Sequence, residues 1–198
     1  MDNLRSPGFF SSPVVERAFR SVPRDLFLPK NMQPLAYRDI PVPTFGGSTI
    51  PSFTTLALVV RNLQINNSSK ILILGDGTGY AGAVLSRLGS QVFILEGTEE
   101  NYAQARTINE RGGYTNIRLL YGRDSRLFAS EAPFDCILIH GALTEVPSSL
   151  TDLLGEGGRM VVSLRDPQGL QMLLLLEREG SALSLRSLGT ALFSPLNP

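Results

Sequence analysis

The stretch richest in chemistry is Ile71-Leu72-Ile73-Leu74-Gly75-Asp76-Gly77-Thr78-Gly79-Tyr80. An apolar run passes into three alternating glycines and then into a helical pattern. Positions without side chains let a ligand approach the backbone, and a helix starting just after them offers unpaired N–H groups. Seventeen residues beyond Gly79, where the next apolar run ends, stand Glu96 and Gly97. A carboxylate there accepts both hydroxyls of a ribose, because it has two acceptor oxygens. This is nucleoside-binding logic. It nominates Gly75, Asp76, Gly77, Thr78, Gly79, Tyr80, Glu96 and Gly97 as cofactor-binding residues.

Two ligand classes compete for such a loop. Gly77-Thr78-Gly79-Tyr80-Ala81-Gly82 satisfies the G-x-G-x-x-G dinucleotide pattern literally. Its first glycine, however, lies two residues beyond the strand-ending Gly75, and in the expected register Tyr80 takes the third glycine's place. The spacing Gly75, Gly77, Gly79 fits S-adenosylmethionine instead, and the chain has no second domain for a hydride acceptor. A nicotinamide enzyme remains the remote alternative, and glycines that merely turn a corner a third reading.

The elements that must position these residues follow from periodicity. Before residue 69 frequent prolines punctuate short segments: a helix over Val14–Ser21 capped by Ser11 or Ser12, extended chain through residues 29–53, and a helix over Thr54–Leu63. After it, apolar runs at Lys70–Leu74, Gln91–Leu95, Asn116–Leu120, Phe134–Ile139 and Arg159–Leu164 read as strands. Helical patterns at Tyr80–Leu88, Glu99–Arg111 and Pro147–Leu154 separate them. Gln171–Glu177 and Leu183–Phe193 are too close for a helical crossover and read as a hairpin. The expected fold is α/β: a doubly wound, class I methyltransferase-like sheet of seven strands, mostly parallel with a C-terminal antiparallel hairpin. It is one domain over residues 1–198, with 1–69 as an N-terminal helical and loop extension carrying the substrate loop and 70–198 as the cofactor-binding core.

Composition narrows the function classes. Among 198 residues, 42% are hydrophobic, and 18 basic residues balance 18 acidic ones. Disorder is excluded, and no bulk charge draws the chain to nucleic acid or an anionic membrane. One cysteine and one histidine make no structural zinc site, so no metal is expected. No basic-then-apolar leader opens the chain and no apolar run approaches a membrane span; a cytoplasmic protein is expected. Oligomeric state is not legible.

Several motifs stand in order: Val22-Pro23-Arg24-Asp25-Leu26-Phe27, Ala36-Tyr37-Arg38-Asp39, Gly75 to Tyr80, Ala132-Pro133-Phe134-Asp135, Gly157-Gly158-Arg159 and Phe193-Ser194-Pro195-Leu196. From about Val14 to Leu196 the chain resembles the protein-L-isoaspartate O-methyltransferase family. The resemblance implies a methyltransferase that uses S-adenosyl-L-methionine, releases S-adenosyl-L-homocysteine and methylates the misplaced carboxylate of L-isoaspartyl residues in a protein or peptide, which starts their repair. It implies cofactor contact by Gly75, Gly77, Gly79 and Glu96, and places Gly122 and Asp124 on the adenine side. Thr49 and Ser52 become the candidate catalytic residues.

The chain departs from the family in the substrate loop, in the first strand and on the adenine side, where arginine replaces the family's aspartate. The family's Gln-Thr-Ile-Ser is here Ser48-Thr49-Ile50-Pro51, so a hydroxyl and a backbone N–H disappear together, with Ser52 the nearest replacement. Its Gly-Asp-Gly is Gly122-Arg123-Asp124, and its acidic residue before the glycine loop is Ile73. A non-catalytic protein that binds S-adenosylmethionine or adenosylhomocysteine is therefore the rival from another class. His140 is expected in a solvated loop, with a base as its alternative, Cys136 in the core, Asp135 at the strand entry, and Arg20, Arg24 and Arg38 on the surface. Residues 29–53 are expected to form a lid.

Overall fold

Ser12 accepts a hydrogen bond from the Val15 amide and starts helix α1, Pro13–Ser21, with proline where no N–H is needed. The computed structural model describes residues 10, 12–191, 193, 194 and 196; Ser11 and Pro195, named above, and Leu192 within the last expected strand, lie outside the described residues. Val15, Ala18 and Phe19 share the buried face of α1. The proline-rich stretch beyond it makes short 3-10 turns at Arg24–Phe27, Gln33–Leu35 and Phe45–Gly47. It also makes a small antiparallel hairpin, β1 (Val42–Pro43) with β2 (Thr49–Ile50), whose tip carries Gly46 and Gly47. Helix α2, Phe53–Leu63, follows.

The main sheet comprises β3 (Lys70–Leu74), β4 (Gln91–Glu96), β5 (Ile117–Tyr121), β6 (Phe134–Leu143), β7 (Leu154–Arg165), β8 (Gln171–Glu179) and β9 (Ala182–Thr190). Their order is β5-β4-β3-β6-β7-β8-β9. The first five are mutually parallel, and β8 and β9 run antiparallel at the end. The chain winds outward from β3 through β4 to β5, then returns to lay β6 on the other side of β3. That reversal opens a crevice beyond the carboxyl ends of β3 and β6, where ligands bind in such sheets.

Helices α3 (Tyr80–Leu85), α4 (Glu99–Gly112) and α5 (Ser148–Thr151) complete the core. Ile71 and Ile73 face one buried cluster with α2, α3 and the N-terminal extension, while Leu72 and Leu74 face a second on the opposite side. A strand apolar on both faces is what a covered parallel sheet requires.

Several boundaries differ from the sequence reading. The helix expected over Tyr80–Leu88 stops at Leu85, where Ser86 turns its hydroxyl back to the Ala83 carbonyl. The one expected over Pro147–Leu154 shrinks to Ser148–Thr151 because Leu154 already pairs with Phe134 in the sheet. Strand β6 continues four residues beyond Ile139, carrying His140 into the strand at an irregularity between Leu138 and Ala142, where its register with β7 shifts. Strand β9 ends at Thr190, ahead of the expected Phe193. Asp135 does anchor a strand entry, accepting from the Lys70 amide at 2.7 Å, and Cys136 is buried with its thiol pushed up to about 12 by desolvation.

Candidate active site

Gly75, Gly77 and Gly79 have φ of +75°, +80° and +85°. A left-handed residue at every second position turns the chain sharply off β3, and only glycine adopts it without strain. Between them, Asp76 accepts from the amides of Ala81 at 3.0 Å and Gly82 at 2.6 Å. Both carboxylate oxygens of Asp76 are thus engaged at the start of α3, so its side chain caps the helix and does not reach toward a ligand.

Glu96 ends β4 fully buried. Its Oε1 accepts from the Gly77 amide at 2.7 Å, while Oε2 is buried without a partner. Desolvation, with Asp76 nearby, pushes its carboxyl up to about 8, although the Gly77 hydrogen bond opposes the shift.

Two cavities meet over this loop and share Gly75, Gly97 and Leu196. The larger, about 380 Å³, is walled by Leu74, Leu95, Leu143 and Leu150, with Gly122, Arg123, Asp124 and Ser125 along one side. A flat heterocyclic base suits such an apolar slot. Asp124 accepts from Arg126, whose guanidinium pairs with it and holds its carboxyl below the usual range. Arg123 Nε donates to the Gly97 carbonyl at 3.1 Å. The smaller cavity, about 50 Å³, holds Glu96, Asn101, His140, Ser194 and the hairpin residues Gly46 to Thr49.

The hairpin tip closes on the glycine loop. Asn101 Nδ2 donates to Ser48 Oγ at 2.8 Å, and Thr49 Oγ1 lies 3.0 Å from Ser194 Oγ. A methyl group built on Gly77 would stand 2.8 Å from Ser48 Cβ, and one on Gly75 would stand 2.4 Å from Leu196 Cδ1. The hairpin's Ser48 and the tail's Leu196 therefore already pack against these glycines.

Six nominated residues, Ser52, Asp76, Gly77, Thr78, Gly79 and Tyr80, line neither cavity. Ser52 caps α2, accepting from the Thr55 amide at 3.1 Å, and is absent from both cavities. Its hydroxyl serves a helix end here. Tyr80 points into the core edge-on to Phe27. Gly79 starts α3 and packs toward Ala105 of α4, so its lack of a side chain serves helix packing. Thr78 is fully buried and lines neither cavity.

Two residues read as surface or loop are interior. Arg24 is fully buried, and its guanidinium donates to the carbonyls of Ala36, Arg38, Ile40, Ile50 and Pro51 while lying over the Phe53 ring. Arg20 and Arg38 are exposed. His140 is 6% exposed, not solvated, because β6 outruns its expected end. Burial holds its imidazole below the usual range, opposed by Asp76. Asn101 and Ser194 join the site without having been nominated, though Ser194 stands inside a motif quoted above.

The family model for protein-L-isoaspartate(D-aspartate) O-methyltransferase (PCMT) matches residues 1–198. A protein-L-isoaspartate O-methyltransferase of Methanoculleus marisnigri is 35% identical, the match covering 98% of this chain and 87% of that protein. Another, from Koribacter versatilis, is 37% identical over 98% and 86%. A solved protein-L-isoaspartate O-methyltransferase superposes with TM-score 0.86 at 26% identity; the match covers 94% of this chain but only 62% of that one. A second, a putative enzyme of Plasmodium falciparum in complex with S-adenosyl-L-homocysteine, superposes at 0.85 and 19% identity over 99% and 95%, and shows the fold alone.

Proposed function

This chain belongs to the protein-L-isoaspartate(D-aspartate) O-methyltransferase family, and from that premise we propose that it methylates a carboxylate of a protein or peptide with S-adenosyl-L-methionine, isoaspartyl residues being the acceptor class. The observation that carries the reading is Glu96 Oε2: a buried acceptor without a partner, beside a glycine turn and between two cavities. A ribose hydroxyl would satisfy that oxygen and offset the cost of burying it. The residues present therefore fit the cofactor. Glu96 would hold the ribose, the Gly75–Gly77 backbone the amino-acid end, and Gly97, Gly122 and the apolar slot the base. When bound, the cofactor supplies a methyl group on a sulfonium.

The protein's part is positioning. An acceptor carboxylate is already ionised near neutral pH and needs no base. Alignment alone supplies ~7–11 kcal/mol of barrier lowering in well-oriented reactions. The hairpin tip supplies cover, excluding water from the small cavity where Thr49, Ser194 and His140 converge. Among the described residues no helix is long and apolar enough to cross a membrane, and we place the reaction in the cytoplasm.

Titration calorimetry tests this. The protein, freed of carried-over ligand, is expected to bind S-adenosyl-L-methionine, and Glu96→Ala to weaken binding by ~1–3 kcal/mol. Folded wild-type protein that binds neither the cofactor nor adenosylhomocysteine refutes the assignment.

A further inference from the structure

Three residues of the small cavity have a buried polar atom without a partner, Glu96 Oε2, Asn101 Oδ1 and His140 Nε2, and of these only the last can gain a proton to become a cationic donor. His140 Nδ1 lies 3.1 Å from the Gly75 carbonyl, which can only accept, so Nδ1 carries the hydrogen. Nε2 is therefore a bare lone pair in the neutral ring, and it is buried with no partner. The Phe193 ring packs edge-on at 5.3 Å and fixes the imidazole plane. His140 also sits at the β3–β6 crevice, across the shared cavity wall from the glycine turn, beside the hydroxyls of Thr49 and Ser194.

A lone pair facing an incoming carboxylate is repulsive; the same nitrogen bearing a proton is a strong donor to it. We propose that His140 is an acceptor-binding residue whose Nε2 takes a proton from solvent as the acceptor carboxylate enters and donates N–H to it. This rests on reading the small cavity as the acceptor's site. Methyl transfer breaks the C–S bond and forms an O–C bond, which cancels the sulfonium and carboxylate charges and consumes no proton. The ester that remains no longer holds the imidazolium, so the proton returns to solvent as product leaves.

The titratable groups around the ring are Asp76 from the β3–α3 turn and Glu96 from β4. Asp76 stays fixed by two amides, and Glu96 titrates near 8. The acceptor's own carboxyl is ionised throughout the range from pH 6.0 to 7.5. Over that range, at saturating S-adenosyl-L-methionine, KM for an isoaspartyl peptide is expected to rise with pH, approaching tenfold per unit, the slope of one linked proton.

The test pairs that profile with calorimetry of the peptide binding to the adenosylhomocysteine complex, run in two buffers of different ionisation enthalpy. Wild-type protein is expected to take up close to one proton per peptide at pH 7.5. His140→Gln, which keeps an N–H without titrating, is expected to show a flat profile with low KM. His140→Leu is expected to show a flat profile with high KM, and neither variant to take up a proton. Unchanged adenosylhomocysteine affinity in both variants shows that they fold. A wild-type KM that does not move with pH, zero proton uptake, a variant that keeps the slope, or no peptide binding at any pH overturns the proposal. Loss of adenosylhomocysteine binding by wild-type protein would instead overturn the functional assignment itself.

Discussion

The two halves of the site are built differently. The cofactor half is mostly local: Lys70 to Glu96 spans one strand, one turn, one helix and the next strand, tied by the Gly77–Glu96 hydrogen bond, and the base slot alone draws on later residues. The acceptor half is assembled from three distant segments, bringing Thr49, His140 and Ser194 to one small cavity. The first is held by the sheet, the second by side chains reaching to backbone. A rigid local half tolerates change around it, whereas the acceptor half depends on its anchors. Acceptor specificity can therefore diverge while cofactor binding stays; of this chain's departures from its family, Pro51 falls in the acceptor loop, whereas Arg123 and Ile73 fall in the cofactor half.

The largest effect that would sharpen this contrast lies at Arg24. Removing the guanidinium leaves five buried or partly buried carbonyls without their donor. Arg24→Met is expected to cost ~3–5 kcal/mol in urea unfolding, and Arg24→Lys to recover part of it. Adenosylhomocysteine affinity measured under folding conditions should change far less than KM for the acceptor. An equal loss in both would break the division into halves.

Next is the pH dependence of stability. Glu96 has its carboxyl raised on folding, so the native state holds a proton that the unfolded chain releases. Stability should accordingly fall as pH rises from about 4.5 to about 8, by ~2–4 kcal/mol. Glu96→Gln should flatten the curve and unfold at higher temperature than wild type at pH 8, read by thermal melts. A wild-type melting temperature that climbs across this window would contradict it.

Smaller is the effect expected at Pro51. In extended chain, position 51 lies on the face of Thr49, yet proline supplies no hydroxyl there. Turnover of an isoaspartyl peptide is expected to be weak beside an ordinary family enzyme, and Pro51→Ser to raise kcat/KM about tenfold, ~1.4 kcal/mol. If Pro51→Ser leaves the rate unchanged, Arg123 or His140 becomes the place to look.

The smallest effect concerns the lid. Arg24 pins the carbonyls of Ile40 and Ile50, which narrows the expected lid from residues 29–53 to the hairpin between those anchors. Limited proteolysis near Gly46-Gly47 should slow several-fold when adenosylhomocysteine is added. Identical cleavage rates would make the hairpin scaffold.

How much was legible follows from the same division. The glycine turn and Glu96 announce themselves because the signal is compressed into one strand–turn–helix–strand unit. Ser52 is ambiguous in the sequence because a serine before a helical run offers its hydroxyl equally to a ligand or to the Thr55 amide, and the fold places it at the helix end. Arg24 was illegible for a deeper reason: its partners are backbone carbonyls, which leave no trace in side-chain patterns. His140 reads as loop because the apolar run ends at Ile139, whereas β6 resumes its pairing with β7 at Ala142 and Leu143, beyond a register shift that spans His140.

The Thr49–Ser194 contact also has a place in time. Arg24 gathers carbonyls 12 to 27 residues away, so the extension can organise through short loops. Thr49 and Ser194 are separated by 145 residues, and closing so long a loop waits on the sheet between them. The glycine turn and its tie to Glu96 are expected to form before the acceptor cavity is sealed. During its own synthesis, the protein would shape the turn that meets its cofactor before it could select what to methylate.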